Sequence, residues 1–494
     1  MQETDDKKTI AAGDRKARLA MLFPCLVEDH GRRGGPSAAQ RIFIVAMLGV
    51  CIALMYGMRT DLSVGVHEMQ SSWPNGWTGT SLSAFFIGYM VGNIPGSLLA
   101  QRHGARTILP GGVLIASAAN ALIPYVSSTP ELVVSARIVC GVAQACTFPC
   151  AYQLLHEWTT PATRSRAITS SMSIGVAAGT ASGFFVSEQM RRAYGLAGCF
   201  GVWSAASSIW ATAWLLLVPD RVPGSTSAAV ALGFGRASGR KETAAPWHVL
   251  AFQPTLLVLY GCHCAANFIN YGLLTQLPLF LTTSLHASAG TLAAGTTLPY
   301  LANVLLAFGA ASIADALINS GRVSITHVRK AFTAVGLGLS GLLLFAAGCV
   351  TDATIAVVLV IGATGALGLA QPGWQALYLD AFGELSGTAY SYSNTLATLA
   401  GIAAPVIAST FVSRFGEAGG YSATFLVFGP LFGLPAVSAF CWVASATRVR
   451  LPSRGAFSGG CEESLSLSEL MNSPDAEHTS DVEPNDASPL SPLK

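Results

Sequence analysis

Two arginines, Arg59 and Arg137, stand inside long apolar runs at 43–66 and 131–154. A planar guanidinium grips a carboxylate or phosphate through two parallel hydrogen bonds, so the chemistry on offer is anion binding. A charge at membrane depth costs several kcal/mol on insertion scales and normally faces a water-filled path or a partner. Arg59 lies about seven residues from the outer end of its run and Arg137 about six, which at 1.5 Å per residue puts both roughly 10 Å deep. The nearest acids, Asp61, Glu131, Glu157, Glu188, Asp315 and Asp380, all stand near run ends. Two guanidiniums without a deep carboxylate would leave a positive cavity for an anion to neutralise. The alternative is that each snorkels to the interface or pairs with Asp61 or Glu131.

The elements that must hold these residues are helices in lipid. The 494 residues are 51% hydrophobic and 11% charged, with mean hydropathy +0.50; a soluble domain carries about 25% charged residues. Stretches of about 20 apolar residues, each enough to cross the hydrocarbon core, recur between short polar breaks. The expected spans are 43–66, 79–100, 107–127, 131–154, 166–188, 196–218, 248–282, 291–317, 331–350, 353–379, 386–412 and 420–446. The seventh is overlong and is expected to include an interfacial piece. The sequence thus predicts an all-α polytopic membrane protein: an N-terminal segment 1–40, helical halves 41–218 and 248–446 joined by a polar linker 219–247, and a disordered, Ser/Pro-rich acidic tail 447–494. Ser473, Ser488 and Ser491 of the tail each precede Pro and are candidate phosphorylation sites.

Loops after the even-numbered spans hold most of the basic residues, including Arg102, Arg106, Arg164, Arg166, Arg329 and Lys330, while those after odd spans hold only Arg191, Arg192 and Arg414. By the positive-inside rule both termini and the linker are expected to face the cytoplasm. Residues 1–40 contain no apolar core and do not read as a cleavable signal peptide. Net charge is only +2 with no dense basic block, which argues against nucleic acid. Nine of the eleven cysteines fall in apolar stretches, where a thiol acts as a small hydrophobe.

Other motifs read mostly as packing. Gly336-Leu337-Gly338-Leu339-Ser340-Gly341 matches a dinucleotide fingerprint literally but lies in a span without βαβ context, so helix packing is expected. Gly175, Gly179 and Gly183 have the spacing of small-residue helix contacts. Cys262-His263-Cys264 puts its thiols about 200° apart on a helix, which disfavours a shared metal and leaves His263 to pack or to line a cavity. His156 and Glu157 suit either a gate or a solvated helix end. Tyr56, Tyr271, Ser393 and Asn394 offer neutral hydrogen bonds for orienting an anion's remainder, and Pro95, Pro149, Pro278, Pro299 and Pro405 free backbone groups in or near spans.

Several blocks resemble, in order, the anion:cation symporters, solute carrier family 17 of the major facilitator superfamily. They are Arg59-Thr60-Asp61-Leu62-Ser63-Val64, similar to that family's Arg-x-Asn-Leu-Ser-Val; Phe85-Phe86-Ile87-Gly88-Tyr89; Ala100-Gln101-Arg102-His103-Gly104; and Arg137-Ile138-Val139-Cys140-Gly141. Asn267-Phe268-Ile269-Asn270-Tyr271, Leu298-Pro299-Tyr300, Val328-Arg329-Lys330, Leu379-Asp380 and Tyr392-Ser393-Asn394-Thr395 continue the match. The resemblance implies a major facilitator fold of about twelve transmembrane helices in two six-helix bundles. It also implies alternating-access transport of an organic carboxylate or phosphate, with Arg59 and Arg137 at the family's anion-binding positions. A non-transporting sensor on the same fold is the alternative. Substrate-binding candidates are Arg59, Arg137, Tyr56, Gln144, Asn267, Tyr271, Ser393 and Asn394; coupling or gating candidates are His156, Glu157, His263, Asp315 and Asp380. No enzyme activity, cofactor or metal is expected. The partners are a small anion, the lipid of a plasma membrane or endomembrane, and a proton or sodium ion as candidate co-substrate. Two departures bear on coupling: Gln144 stands where many relatives have Glu and Leu82 where some have His, each removing a titratable group. Gln101 replaces a common Asp in the loop that Ala314-Asp315 occupies in the second half.

Overall fold

The computed structural model describes residues 36–69, 73, 77–219, 247–447 and 449. The N-terminal segment up to residue 35, nearly all of the linker, and the tail with Ser473, Ser488 and Ser491 lie outside the described residues, as do the side chains of Pro278 and Pro405.

Among the described residues nine continuous helical stretches are long and apolar enough to cross a membrane. Two of them, and the long helix Ser386–Val443, contain more than one pass. The backbone turns at Gly195 (φ 63°), Gly383 (φ 55°) and Gly416 (φ 73°), a left-handed conformation that a residue without Cβ adopts at no steric cost. Divided there, the described residues form twelve membrane-length helices, in line with the number expected. They are α1 (Ala38–Met69), α2 (Trp77–His103), α3 (Ala105–Leu122), α4 (Pro130–Trp158), α5 (164–194), α6 (195–217), α7 (Pro254–Leu279), α8 (Ala289–Asn319), α9 (Ile325–Cys349), α10 (353–382), α11 (386–415) and α12 (416–443). A short helix, Trp247–Ala251, precedes α7 and accounts for the overlong seventh run.

Helix starts follow ordinary capping chemistry. Ser288, Ser324 and Asp352 accept hydrogen bonds from the backbone N–H groups of Thr291, His327 and Ile355, and Pro130 and Pro254 occupy first turns, where no N–H is needed. The outside is apolar: Val91, Leu98, Ile115, Ile209, Leu305 and Val358 are exposed, as a lipid-facing surface requires.

The halves repeat one packing scheme. Helix α1 packs on α5 and α6 and α2 on α4; correspondingly α7 packs on α11 and α12 and α8 on α10. Across the halves α2 meets α11 and α5 meets α8. Close approach is built into the sequence: a side chain at Gly88 would run into the backbone of Ile138, and one at Gly141 into that of Phe85, so α2 and α4 touch backbone to backbone. Gly175, Gly179 and Gly183 lie against α1, and Gly336 against Ala370, which bears out packing for both motifs.

Helix α4 is broken at one place that matters. Its two parts, Pro130–Gln144 and Thr147–Trp158, meet just before Pro149. Proline lacks the N–H that would bind the carbonyl four residues back, at Ala145, so the ladder opens there. Gln144 is the last residue before the break.

Candidate functional site

In the middle of the first half, Arg59 lies half-buried on α1. Its guanidinium carbon is 4.3 Å from the ring centre of Tyr56, 4.6 Å from Tyr89 and 4.9 Å from Phe85. Rings stabilise a cation by about 0.5–2 kcal/mol each, through their quadrupoles, without neutralising it. Arg59 Nε donates to Gln144 Oε1 at 3.1 Å, and among the described residues no carboxylate is within ion-pair distance of Arg59. Two N–H donors of this pair, Arg59 Nη2 and Gln144 Nε2, are buried without a hydrogen-bond partner. Buried donors are normally satisfied, so such a pair is conspicuous. Phe85, Tyr89 and Asn93 recur every four residues and so share one face of α2, which the contact with α4 presses toward Arg59.

Arg137 sits differently from the expectation. The structure has a deep carboxylate after all: Asp61 is fully buried, and its Oδ1 lies 3.6 Å from Arg137 Nη1. Asp61 Oδ2 accepts from Asn120 Nδ2 at 2.7 Å. Arg137 also donates to the backbone carbonyls of Met58 (3.0 Å) and Arg59 (3.3 Å). Of the two alternatives for Arg137, pairing with Asp61 is the one realised. Its Nη1 and Nη2 are engaged by α1, which holds the turn that carries Arg59, while its Nε is buried without a hydrogen-bond partner.

The second half supplies a neutral wall. On α7, Tyr271 meets Phe86 edge-on at 6.4 Å and lies within electrostatic reach of Arg59. Asn394 Nδ2 crosses from α11 to Tyr89 Oη (3.1 Å) and Asn93 Oδ1 (3.0 Å), tying the halves together beside the cage. Ser393 accepts from Tyr378 Oη at 2.6 Å and contacts His263 Nδ1 at 3.1 Å; the His263 ring lies against Trp374 and Tyr390. Asn267 donates to the Ala397 carbonyl at 3.0 Å, so its amide N–H is engaged in holding α11 to α7.

A profile of the Major Facilitator Superfamily matches residues 41–405. The chain belongs to that superfamily. Similar proteins include "Probable anion transporter 5" of Arabidopsis thaliana, 26% identical over 367 residues (73% of this chain, 85% of that protein). A "Putative inorganic phosphate cotransporter" of Drosophila ananassae is 27% identical over 375 residues (72% and 76%). "Uncharacterized transporter slc-17.2" of Caenorhabditis elegans is 28% identical over 360 residues (68% and 71%). These relatives agree with the resemblance to the anion:cation symporters. Among solved structures, the proton:xylose symporter XylE aligns with TM-score 0.65 at 16% identity, covering 85% of this chain and all of that one. The human organic anion transporter MFSD10 aligns with TM-score 0.59 at 16% identity, covering 82% and 99%. At such identities these two speak for the fold.

In this facilitator the halves are joined most densely at the end where α2, α4 and α8 finish and α5, α9 and α11 begin, here termed the linker end. Asp380, on α10, accepts from Arg164 of the first half (2.7 Å) and Arg329 of the second (2.8 Å). Arg329, 1% exposed, also donates to Ser165 Oγ and the Pro372 carbonyl, each at 2.7 Å. His156 Nδ1 is 3.2 Å from Arg164 Nη2. Asp315, on α8, accepts from the Ser165 and Arg166 backbone N–H groups (3.2 and 3.1 Å) and from Arg166 Nε (3.1 Å), a carboxylate seated on the first turn of α5. Of the gating candidates, His156, Asp315 and Asp380 are therefore brought into one network; Glu157 is exposed and contacts Gln153 on its own helix. Between network and cage, Phe148 and Tyr152 of α4 stack on Tyr390 of α11 at 5.7 and 4.4 Å.

Sequence reasoning missed Arg164 and Arg329 as site residues by counting them among loop charges, and it missed Phe85, Tyr89 and Asn93. The four-residue spacing of the last three was a usable signal. Nothing local in the sequence pairs Arg164 with Asp380, which stand 216 positions apart.

Proposed function

We propose that this chain carries a small anion across a membrane by alternating access, with Arg59 and Gln144 as the anion seat. One observation carries the reading: among the described residues the half-buried Arg59 guanidinium has no acid of its own, and two buried N–H donors, its own Nη2 and Gln144 Nε2, lack acceptors. A carboxylate or phosphate group supplies both the missing charge and the missing acceptors. The names of the relatives, anion transporters and inorganic phosphate cotransporters, support the same class.

Tyr56, Tyr89 and Tyr271 line the seat, while Asn394 meets Tyr89 and Asn93 from the second half. The linker-end network and the stacked Phe148, Tyr152 and Tyr390 hold that end closed, and rocking toward the other access state requires Asp380 and Asp315 to release their partners. In this reading both termini and the linker 219–247 face the cytoplasm, the two helical halves move as units, and the tail serves regulation or sorting. A co-transported proton or sodium ion completes the cycle if transport is concentrative.

The test is counterflow of carboxylates and phosphate in proteoliposomes containing the full-length protein. Arg59→Ala is expected to lower flux at least about a hundredfold, the cost of removing a buried charge-assisted bidentate contact. Equal flux by wild type and Arg59→Ala would overturn the assignment. Labelling of a single cysteine at position 230 from outside sealed membranes would overturn the orientation.

A further inference from the structure

We infer that Asp61 sets the valence of the cargo: the site accepts anions bearing one negative charge, a monocarboxylate in first place, and discriminates against dianions. The inference rests on Arg59 and Gln144 being the anion seat. Four polar side chains decide the charge at that depth. Arg59 contributes one positive charge and Gln144 none, and they are joined at 3.1 Å. Arg137 contributes a second positive charge, but Asp61 cancels it from 3.6 Å inside the protein. Arg137 Nη1 and Nη2 are also committed to the Met58 and Arg59 carbonyls, which leaves no parallel pair of Nη donors for a second anionic group.

The side chains packed around Asp61 from the other helices bring no further charge. Asn120 of α3 donates to it, Ser204 of α6 shares that Asn120 amide at 3.3 Å, and Cys199 of α6 meets only its backbone carbonyl. One guanidinium charge therefore remains for cargo. In a low-dielectric site a second negative charge on the cargo would stay uncompensated, and burying an unpaired charge is strongly unfavourable. The seat itself has two free donors, Arg59 Nη2 and Gln144 Nε2, which suits the two oxygens of one carboxylate; Arg137 Nε, also buried without a partner, belongs to the guanidinium paired with Asp61. Phe85 and the ring faces of Tyr56 and Tyr89 leave apolar wall for an organic remainder.

Monobasic phosphate shares the single charge and the paired oxygens, so the experiment separates the two sources. Purified full-length protein is tested for thermal stabilisation, and proteoliposomes for counterflow, with lactate and butyrate against malate and succinate at neutral and mildly alkaline pH. Inorganic phosphate is tested on both sides of its second ionisation. Wild type is expected to favour each monoanion over its dianion counterpart at least about tenfold. Asp61→Asn, which leaves two uncompensated guanidiniums, is expected to shift that ratio toward the dianions by at least about tenfold. Asp61→Asn combined with Arg137→Gln restores a single positive charge and is expected to keep the wild-type ratio, whatever its rate; this variant keeps the test decisive if Asp61→Asn alone does not fold. Phosphate acting only in its monovalent form, with carboxylates inert, would keep the valence rule and assign it to phosphate. Preference of wild type for dianions, or an unchanged ratio in folded Asp61→Asn, would overturn the inference while leaving Arg59 as the seat. Failure of every anion to bind in an Arg59-dependent way would overturn the seat itself.

Discussion

The centre of the molecule and its linker end treat buried charge in opposite ways. At the linker end, Arg164 and Arg329 share Asp380, Arg166 and the first turn of α5 share Asp315, and each of the buried charges Arg164, Arg329, Asp380 and Asp315 has a counter-charge within 3.2 Å. At the centre, Arg59 is surrounded by rings and an amide that stabilise its charge without cancelling it. Internally matched charge holds one arrangement of the halves; unmatched charge waits for a partner from outside. Arg137 marks the boundary between the two regimes, since it lies beside Arg59 in space yet is matched in the manner of the linker end.

Breaking the matched region has the largest expected effect. Asp380→Ala leaves two buried guanidiniums without an anion, and removal of one partner of a buried pair costs about 3–5 kcal/mol. A clearly lowered melting temperature of the purified protein is expected; an unchanged one would show that Asp380 does not bind the halves together.

Converting the unmatched region into a matched one comes next. Gln144→Glu sets a carboxylate against Arg59 Nε, where the amide oxygen now lies at 3.1 Å. Ionised, it occupies the guanidinium and displaces the anion; protonated, it behaves as the amide does. Flux is therefore expected to fall about tenfold or more at neutral pH and to recover on acidification, adding a titration to whatever pH profile wild type shows. A pH profile identical to wild type would place Gln144 outside the seat.

The smallest effect sharpens the comparison within the linker end itself. The internal repeat puts Gln101 at the end of α2 where α8 has Asp315, and Gln101 Nε2 donates to Thr388 Oγ1 at 2.5 Å at the start of α11. Asp315 contributes charge to a helix N-terminus; Gln101 contributes only a neutral contact. Gln101→Asp is expected to stabilise this closed end by about 0.3–1 kcal/mol, read as a small rise in melting temperature with slower counterflow.

The helices themselves were legible because apolar runs of membrane length leave little choice, and the glycine ladders announced close packing. The Arg59 seat was partly legible, since a lone arginine in such a run needs a reason. Asp61 was not, because its place near a run end left open whether it faced lipid headgroups or, as it does, Asn120 on α3 and Arg137 on α4. The opening of α4 after Gln144 could be suspected from Pro149, but its consequence for Gln144 depends on how α2 and α4 touch. Arg164 and Arg329 looked like ordinary loop charges because their common partner, Asp380, comes near only through the tertiary fold.

The central claim is that Arg59 is the charge left open for cargo, and the most direct measurement is anion-dependent stabilisation of the purified protein, compared between wild type and Arg59→Ala. The account predicts that monovalent anions raise the melting temperature of wild type in a saturable way. It predicts that Arg59→Ala loses this response while the variant stays folded without anion, because among the described residues Arg59 is matched to no internal acid. An equal, saturable response in the variant would contradict the account, as would a collapse of the anion-free protein, which would mean that Arg59 holds the fold as Arg329 does.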